Sequence, residues 1–116
     1  MPQKKIFVGW TTLDSAPSAD RFAVALVATR LAACVLVDGP VTSHYVWQGK
    51  QECAKEWRVW IKFPARHARK INTWLSANHP YATPQWLAVE AATMTEPYRQ
   101  WVLGNTRKPA TTRKKK

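Results

Sequence analysis

The segment that decides the fold of this chain is residues 57–64, which read WRVWIKFP. Apolar and polar side chains alternate along it, and this period of two predicts a β-strand with one face against a core. That face carries Trp57, Val59, Ile61 and Phe63. Trp60 lies on the opposite face between two cations, so we expect that face to meet a second protein surface. Pro64 ends the strand, because proline has no N–H to donate to a β-ladder.

The residues just before this strand predict a hairpin. A second strand begins at 34–37, is interrupted by a bulge or bend at Asp38-Gly39-Pro40, and resumes through 45–47. The tripeptide Gln48-Gly49-Lys50 is a hairpin turn signal.

A strand and a helix are predicted at the start of the chain. Residues 4–12 are rich in β-prone side chains, and residues 18–33 are rich in Ala, Val and Leu without an internal Gly or Pro. Asp14 or Ser15 would cap the helix, and Pro17 is tolerated in its first turn.

The residues after Pro64 predict a second helix, a fourth strand and a short third helix. Residues 65–78 have helical periodicity, residues 85–93 are strand-like, and Glu96-Pro97 opens a helix that Gly104-Asn105 ends. The second helix has an apolar face of Ala68, Ile71, Trp74 and Leu75 and an opposite face of Arg66, Arg69, Lys70 and Thr73. The third helix should turn Tyr98, Trp101 and Val102 inward.

The predicted order is β-α-β-β-α-β plus a C-terminal helix, the ferredoxin-like arrangement of an α+β protein. Its antiparallel sheet should carry helices on one face only. The other face would meet water or another chain, and seven Trp residues in 13.2 kDa favour another chain. We therefore expect an oligomer held sheet to sheet.

Composition predicts one domain at 1–106 and a basic tail at 107–116 that we expect to be disordered. The tail carries six of the 18 cations, so the net charge of +11 falls to +5 without it. A basic nucleic-acid-binding or scaffolding module that uses this tail is the alternative function.

No apolar run is long enough for a membrane span or a signal peptide, so a cytoplasmic protein is expected. Cys34 and Cys53 form no CxxC pair and are predicted to be free and buried.

The loop at 79–84, HPYATP, carries the strongest functional signal. It combines the imidazole of His79, the phenol of Tyr81 and the hydroxyl of Thr83, and its two prolines make it rigid. A loop that only connects two secondary-structure elements would be expected to contain Gly, Asn, Asp and Ser instead. The loop is therefore either a binding site or a rigid structural clasp.

Three motifs together resemble the CutA divalent-cation tolerance family. They are LAAC at 31–34, SHYVWQGK at 43–50 and HPYATP at 79–84, and their order and spacing agree with the family from about Lys4 to Leu103. The resemblance implies a ferredoxin-like fold in a tight homotrimer, in which strands of neighbouring subunits extend one another's sheets. It also places the 79–84 loop near a cleft between subunits, as in the similarly built PII signalling proteins.

The resemblance implies a non-enzymatic role in divalent-metal (copper) tolerance or in small-ligand signalling through the intersubunit clefts. The candidate cleft residues are Tyr45, Trp47, Glu56, Lys62, His79, Tyr81 and Thr83. The alternative for these side chains is aromatic packing and an ion pair such as Glu56 with Lys62 between chains. No catalytic triad, Gly-rich phosphate loop or paired-carboxylate motif is present, so no enzyme is expected.

Copper binding by this chain is expected to be weak. The ligands proposed in the family are a cysteine at the end of strand one and two adjacent histidines before the Pro-Tyr. Trp10 and Asn78 occupy two of those three positions here, so His79 is the one candidate metal ligand that remains. A single imidazole does not hold copper tightly, because several ligands must converge on the ion. A hydrogen-bonded, structural His79 is the competing interpretation.

Overall fold

A computed structural model describes residues 4–108 of the chain. The elements follow the predicted order, and the α+β class is confirmed. They are β1 (Ile6–Leu13), α1 (Ala16–Ala28), β2 (Cys34–Trp47), β3 (Lys50–Pro64), a 3-10 turn (Ala65–His67), α2 (Ala68–Asn78), β4 (Leu87–Glu90) and α3 (Glu96–Gly104). No helix in this part of the chain is long and apolar enough to span a membrane.

The four strands form one sheet in the order β2-β3-β1-β4, and every neighbouring pair is antiparallel. Residues at alternate positions of β3 are buried against α1 and α2, as their spacing predicted, and Val59, Ile61 and Phe63 are fully buried. Helix α1 adds Ala19, Phe22 and Leu26, whose spacing of three and four residues places them on one helical face. Helix α2 adds Ile71 and Leu75 in the same way.

Two predicted element boundaries are wrong for identifiable reasons. Helix α1 ends at Ala28, not at residue 33, because the Thr29 hydroxyl donates to the Leu26 carbonyl (2.6 Å) and accepts from the Leu31 N–H (3.1 Å). Arg30 then takes a left-handed conformation with φ of 64°, which redirects the chain toward β2.

Strand β4 spans four residues and not the predicted 85–93. Trp86, just before it, turns toward α2 and donates from Nε1 to the Asn72 side-chain oxygen (2.6 Å). At the other end, the Ala91 N–H donates to the Ile6 carbonyl (2.9 Å), and β1 itself begins at Ile6. Strand β4 therefore ends where its ladder with β1 ends, at the pair Phe7–Glu90.

The expectation that all helices cover one sheet face is wrong for α3. The Tyr98 ring lies 5.7 Å from Lys62 Nζ, and Lys62 points away from the core that α1 and α2 cover. Val102 is fully buried, as predicted, but Trp101 is 46% exposed and does not point inward. Helix α3 thus covers one end of the second face and leaves the rest open.

The prediction of two buried cysteines is also wrong. Cys34 is half-buried, and Cys53 is exposed opposite His44. Arg107, the first residue of the predicted tail, is hydrogen-bonded to the domain: its N–H donates to the Arg30 carbonyl (2.8 Å). The remainder of that tail from residue 109 onward lies outside the described residues.

Strands β2 and β3 continue beyond the core as a hairpin arm, which comprises residues 41–56. The ladder shifts register between Asp38 and Val41, as the DGP bend predicted, and then pairs Val41 with Glu56 through to Trp47 with Lys50. Gln48 and Gly49 form the turn with φ of 51° and 79°. Two successive left-handed residues suit a two-residue hairpin, because their twist matches that of the strands.

Candidate ligand groove

A groove of about 730 Å³ lies between the hairpin arm and the loop that follows α2. Five of the seven candidate residues line it: Tyr45, Trp47, Glu56, Tyr81 and Thr83. Sequence reasoning missed Thr12, Asp14, Ser43 and Lys55, which line it as well. Ser43 belongs to the hairpin motif and could have been included, whereas Thr12 and Asp14 reach the groove only because β1 pairs with β3.

The arm supplies the aromatic wall of the groove. Ser43, Tyr45 and Trp47 share one face of β2, because alternate residues of a strand point to the same side. Tyr45 and Trp47 are 43% and 48% exposed, since the arm extends past the helices that cover the core. These rings offer a flat apolar surface to a ligand or to a neighbouring chain.

The floor of the groove is polar and carries the carboxylate of Glu56. The Thr12 hydroxyl donates to Glu56 Oε2 at 3.2 Å and orients this carboxylate. Burial is the largest of the effects that raise the pKa of Tyr81 to about 12, and the negative charges of Glu56 and Asp14 come next in size. Tyr81 is therefore a protonated phenol at neutral pH, and its hydroxyl can donate a hydrogen bond.

His79 lies behind the groove as a clasp between β1 and the 79–84 loop. It is 8% exposed, its Nε2 is 3.0 Å from the Thr12 carbonyl oxygen, and its Nδ1 is 3.2 Å from the Tyr81 backbone nitrogen. A carbonyl can only accept and a backbone N–H can only donate, so the proton is on Nε2 and Nδ1 is the acceptor. Burial lowers the pKa of His79, which keeps the ring neutral.

The arrangement at His79 does not fit a metal ligand, because both ring nitrogens are already used. Asn78 donates its side-chain amide to the Trp74 carbonyl (2.8 Å), and Trp10 packs edge-on against Trp60 with 5.2 Å between ring centroids. Within residues 4–108, no three His, Cys, Asp or Glu side chains are grouped so that they could hold an ion. The donor set near the 79–84 loop is therefore unsuited to copper.

Lys62 is not part of the groove. It lies on the opposite face of the sheet, beside Tyr98 and across from Cys34. The ion pairs formed among residues 4–108 are Lys5–Glu90, Arg58–Asp38 and Arg99–Glu96, so Glu56 and Lys62 are not joined within one chain.

The second sheet face carries an apolar patch that none of the helices in residues 4–108 covers. The patch comprises the half-buried pair Trp10 and Trp60 and the more exposed Leu36, Leu87 and Val89, which are 49%, 52% and 49% exposed. The ladder places Leu36 opposite Trp60 and Leu87 opposite Trp10, so these side chains are contiguous. The indole N–H of Trp60 is satisfied by the Asp38 carboxylate (3.1 Å), which leaves its ring as apolar surface.

Comparisons with known proteins agree with this architecture. The family model for "CutA1 divalent ion tolerance protein" matches residues 7–105. The divalent-cation tolerance protein CutA of Pectobacterium atrosepticum is 36% identical over 89 residues, which are 77% of this chain and 81% of that protein. The counterpart from Yersinia pestis is 33% identical over 97 residues, which are 84% of this chain and 81% of that protein.

Solved structures of CutA proteins have the same fold as this chain. The crystal structure of CutA from Xylella fastidiosa superposes with a TM-score of 0.84 at 34% identity and covers 88% of this chain and 98% of its own. CutA1 from Oryza sativa superposes with a TM-score of 0.88 at 25% identity and covers 94% and 100% of the two chains. On sequence and structure together, the chain belongs to the CutA divalent-cation tolerance family.

Proposed function

We propose that this protein is a homotrimer of ferredoxin-like subunits that contributes to metal tolerance by binding a small ligand in the groove between the hairpin arm and the 79–84 loop. The observation that carries the proposal is the groove itself: aromatic rings, an oriented carboxylate and a protonated phenol converge on about 730 Å³. Concave sites with mostly apolar walls and a few placed polar groups are the usual form of ligand sites.

The sheet order β2-β3-β1-β4 with α1 and α2 as crossovers supports the ferredoxin-like assignment. The apolar patch around Trp10 and Trp60 supports assembly, because apolar side chains this exposed are stabilised by contact with another chain. A trimer would cover this patch and bring a neighbouring chain toward the exposed rings of the arm. The groove would then lie at a subunit boundary.

Sedimentation or light scattering tests the assembly. Wild-type protein should have about three times the subunit mass of 13.2 kDa. Leu87→Asp places a charge within the patch and should dissociate the trimer, whereas Val24→Asp on the outer face of α1, where Val24 is 71% exposed, should not. A monomeric wild type of 13.2 kDa in dilute solution would refute the trimer.

The ligand proposal predicts a specific pattern in a thermal-shift screen of metabolites. Compounds that raise the Tm of the wild type should lose this effect in Trp47→Ala, because Trp47 lines the groove. Val46→Ala is the matched control, since Val46 is the neighbouring arm residue on the opposite face and is 70% exposed. Equal loss in both variants, or no stabilising compound, would count against a ligand site.

In this proposal copper is held weakly, and tolerance does not depend on a tight copper site. Calorimetry with Cu²⁺ on tag-free protein should show no submicromolar site that depends on His79. Submicromolar binding abolished by His79→Ala in a folded protein would contradict the proposal. The proposal also includes no catalytic role, and the engagement of both His79 nitrogens supports this for His79, because a histidine that acts as a general base needs a free ring nitrogen.

We further propose that the protein acts in the cytoplasm. Both cysteines are free thiols, and Cys53 is exposed on the arm. An exposed free thiol persists in a reducing compartment. Thiol titration of protein purified without reductant tests this, because an intersubunit disulfide at Cys53 would argue for an oxidising location.

A further inference from the structure

A second groove, of about 510 Å³, runs along α2 on the side of the molecule where the C-terminal segment docks. We call it the basic groove. It is lined by three cations (Arg69, Lys70 and Arg107), by the Trp74 side chain, and by Thr73 and Leu31. The sequence pattern places Arg69 and Lys70 on the face of α2 opposite its apolar face.

The position of Arg107 is fixed by hydrogen bonds on both sides. Its N–H donates to the Arg30 carbonyl and its Nε to the Thr29 carbonyl, each at 2.8 Å. The Arg66 guanidinium donates to the Arg107 carbonyl at 2.7 Å and to the Thr106 hydroxyl at 3.1 Å. Five more cations follow Arg107 in the sequence.

The cations of the basic groove are not neutralised by the protein. All seven acidic side chains of the chain lie within residues 4–108, and none is paired with Arg66, Arg69, Lys70 or Arg107. Three acids pair with other cations, and two, Asp14 and Glu56, line the ligand groove instead. The basic groove therefore carries net positive charge that an external anion can neutralise.

The buried His67 lies in the positive electrostatic field of the cations around the basic groove. Burial lowers its pKa, and the charges of Arg66, Lys70 and Arg107 lower it further, although its Nδ1 donates to the Leu31 carbonyl at 2.9 Å. The guanidinium and ammonium groups are thus close enough to act together on one ring.

We propose that the basic groove binds single-stranded nucleic acid through its phosphate backbone, without sequence preference. A run of cations in a concave groove follows a flexible phosphodiester chain, and the Trp74 side chain offers an aromatic surface at the groove wall. A lipid surface is the less suitable partner, because none of the large apolar side chains that are exposed in residues 4–108 lines this groove. This site is separate from the ligand groove and independent of the function proposed for that groove.

Fluorescence anisotropy with a fluorescein-labelled oligouridylate of about 20 nucleotides tests the proposal. The full chain should bind with steep salt dependence. The double variant Arg69→Glu/Lys70→Glu should weaken binding about tenfold or more at low salt and reduce the slope of log K against log salt by about 1.4, since each lost single-strand contact contributes about 0.7. Arg21→Glu/Lys50→Glu is the matched control, because it makes the same charge change at exposed positions outside the groove.

A chain that ends at Lys108 separates the folded groove from the tail while keeping the bonds of Arg107. It should retain binding that Arg69→Glu/Lys70→Glu still weakens. Binding abolished by the truncation and unchanged by the double variant would overturn the proposal, because the tail alone would then be the site. Equal weakening by the control variant, or binding only to phosphatidylserine vesicles or to duplex DNA, would overturn it as well.

Discussion

The role of His79 as a clasp is the prediction that the structure defines most sharply. His79→Ala removes a hydrogen bond to the Thr12 carbonyl and one from the Tyr81 N–H, and it removes a ring that lies 5.5 Å from Phe22 and 4.7 Å from Tyr81. Each hydrogen bond contributes about 0.5–1.5 kcal/mol, and truncating a ring that is 8% exposed leaves a cavity. We expect the free energy of unfolding to fall by about 2–4 kcal/mol.

Urea denaturation at one fixed protomer concentration measures this effect, because oligomer stability depends on concentration. The exposed His44 is the matched control, and His44→Ala should change the free energy of unfolding by less than about 0.5 kcal/mol. His79→Asn can keep an acceptor near the position of Nδ1 and should have an intermediate effect. A loss in His79→Ala no larger than in His44→Ala would refute the clasp and would return the imidazole to consideration as a ligand.

Three further predictions concern stability. Gly9→Ala should destabilise by about 1–3 kcal/mol in thermal melts, because its methyl group would collide with the Trp86 ring, whereas Gly104→Ala meets nothing within 4 Å and should be tolerated. Ser15→Ala should cost about 1 kcal/mol, since the Ser15 hydroxyl accepts from the Ser18 N–H at the start of α1 (3.1 Å); unchanged stability would contradict that role. Burial lowers the pKa of His67 and of His79 below 6.5. Their contribution to stability is therefore complete above about pH 6.5 and is lost as the pH falls through the folded pKa values. A urea midpoint that stays constant as the pH is lowered from about 7 to about 5 would contradict this.

The strands and helices could be predicted where periodicity was strong. The alternation in residues 57–64 identified the buried face of β3, and the spacing of Ile71 and Leu75 identified that of α2. Boundaries failed where a local contact decided them: the Thr29 hydroxyl ends α1 early, and the bond from Trp86 to Asn72 takes residues 85 and 86 out of β4. Such contacts join one particular side chain to one particular acceptor, and no periodic pattern records them.

For the candidate site, the sequence alone determined the residue types and their order. It marked the arm and the 79–84 loop as unusual, placed Tyr45, Trp47, Glu56, Tyr81 and Thr83 among the candidates, and showed Trp10 and Asn78 where metal ligands had been expected. Only the tertiary structure decided which of these side chains meet. It places Lys62 on the far face of the sheet and His79 behind the groove with both nitrogens engaged, and it adds Thr12 and Asp14. The physical reason is that side-chain direction and hydrogen-bond partners depend on strand register and burial, which bring together residues as far apart in sequence as Thr12 and His79.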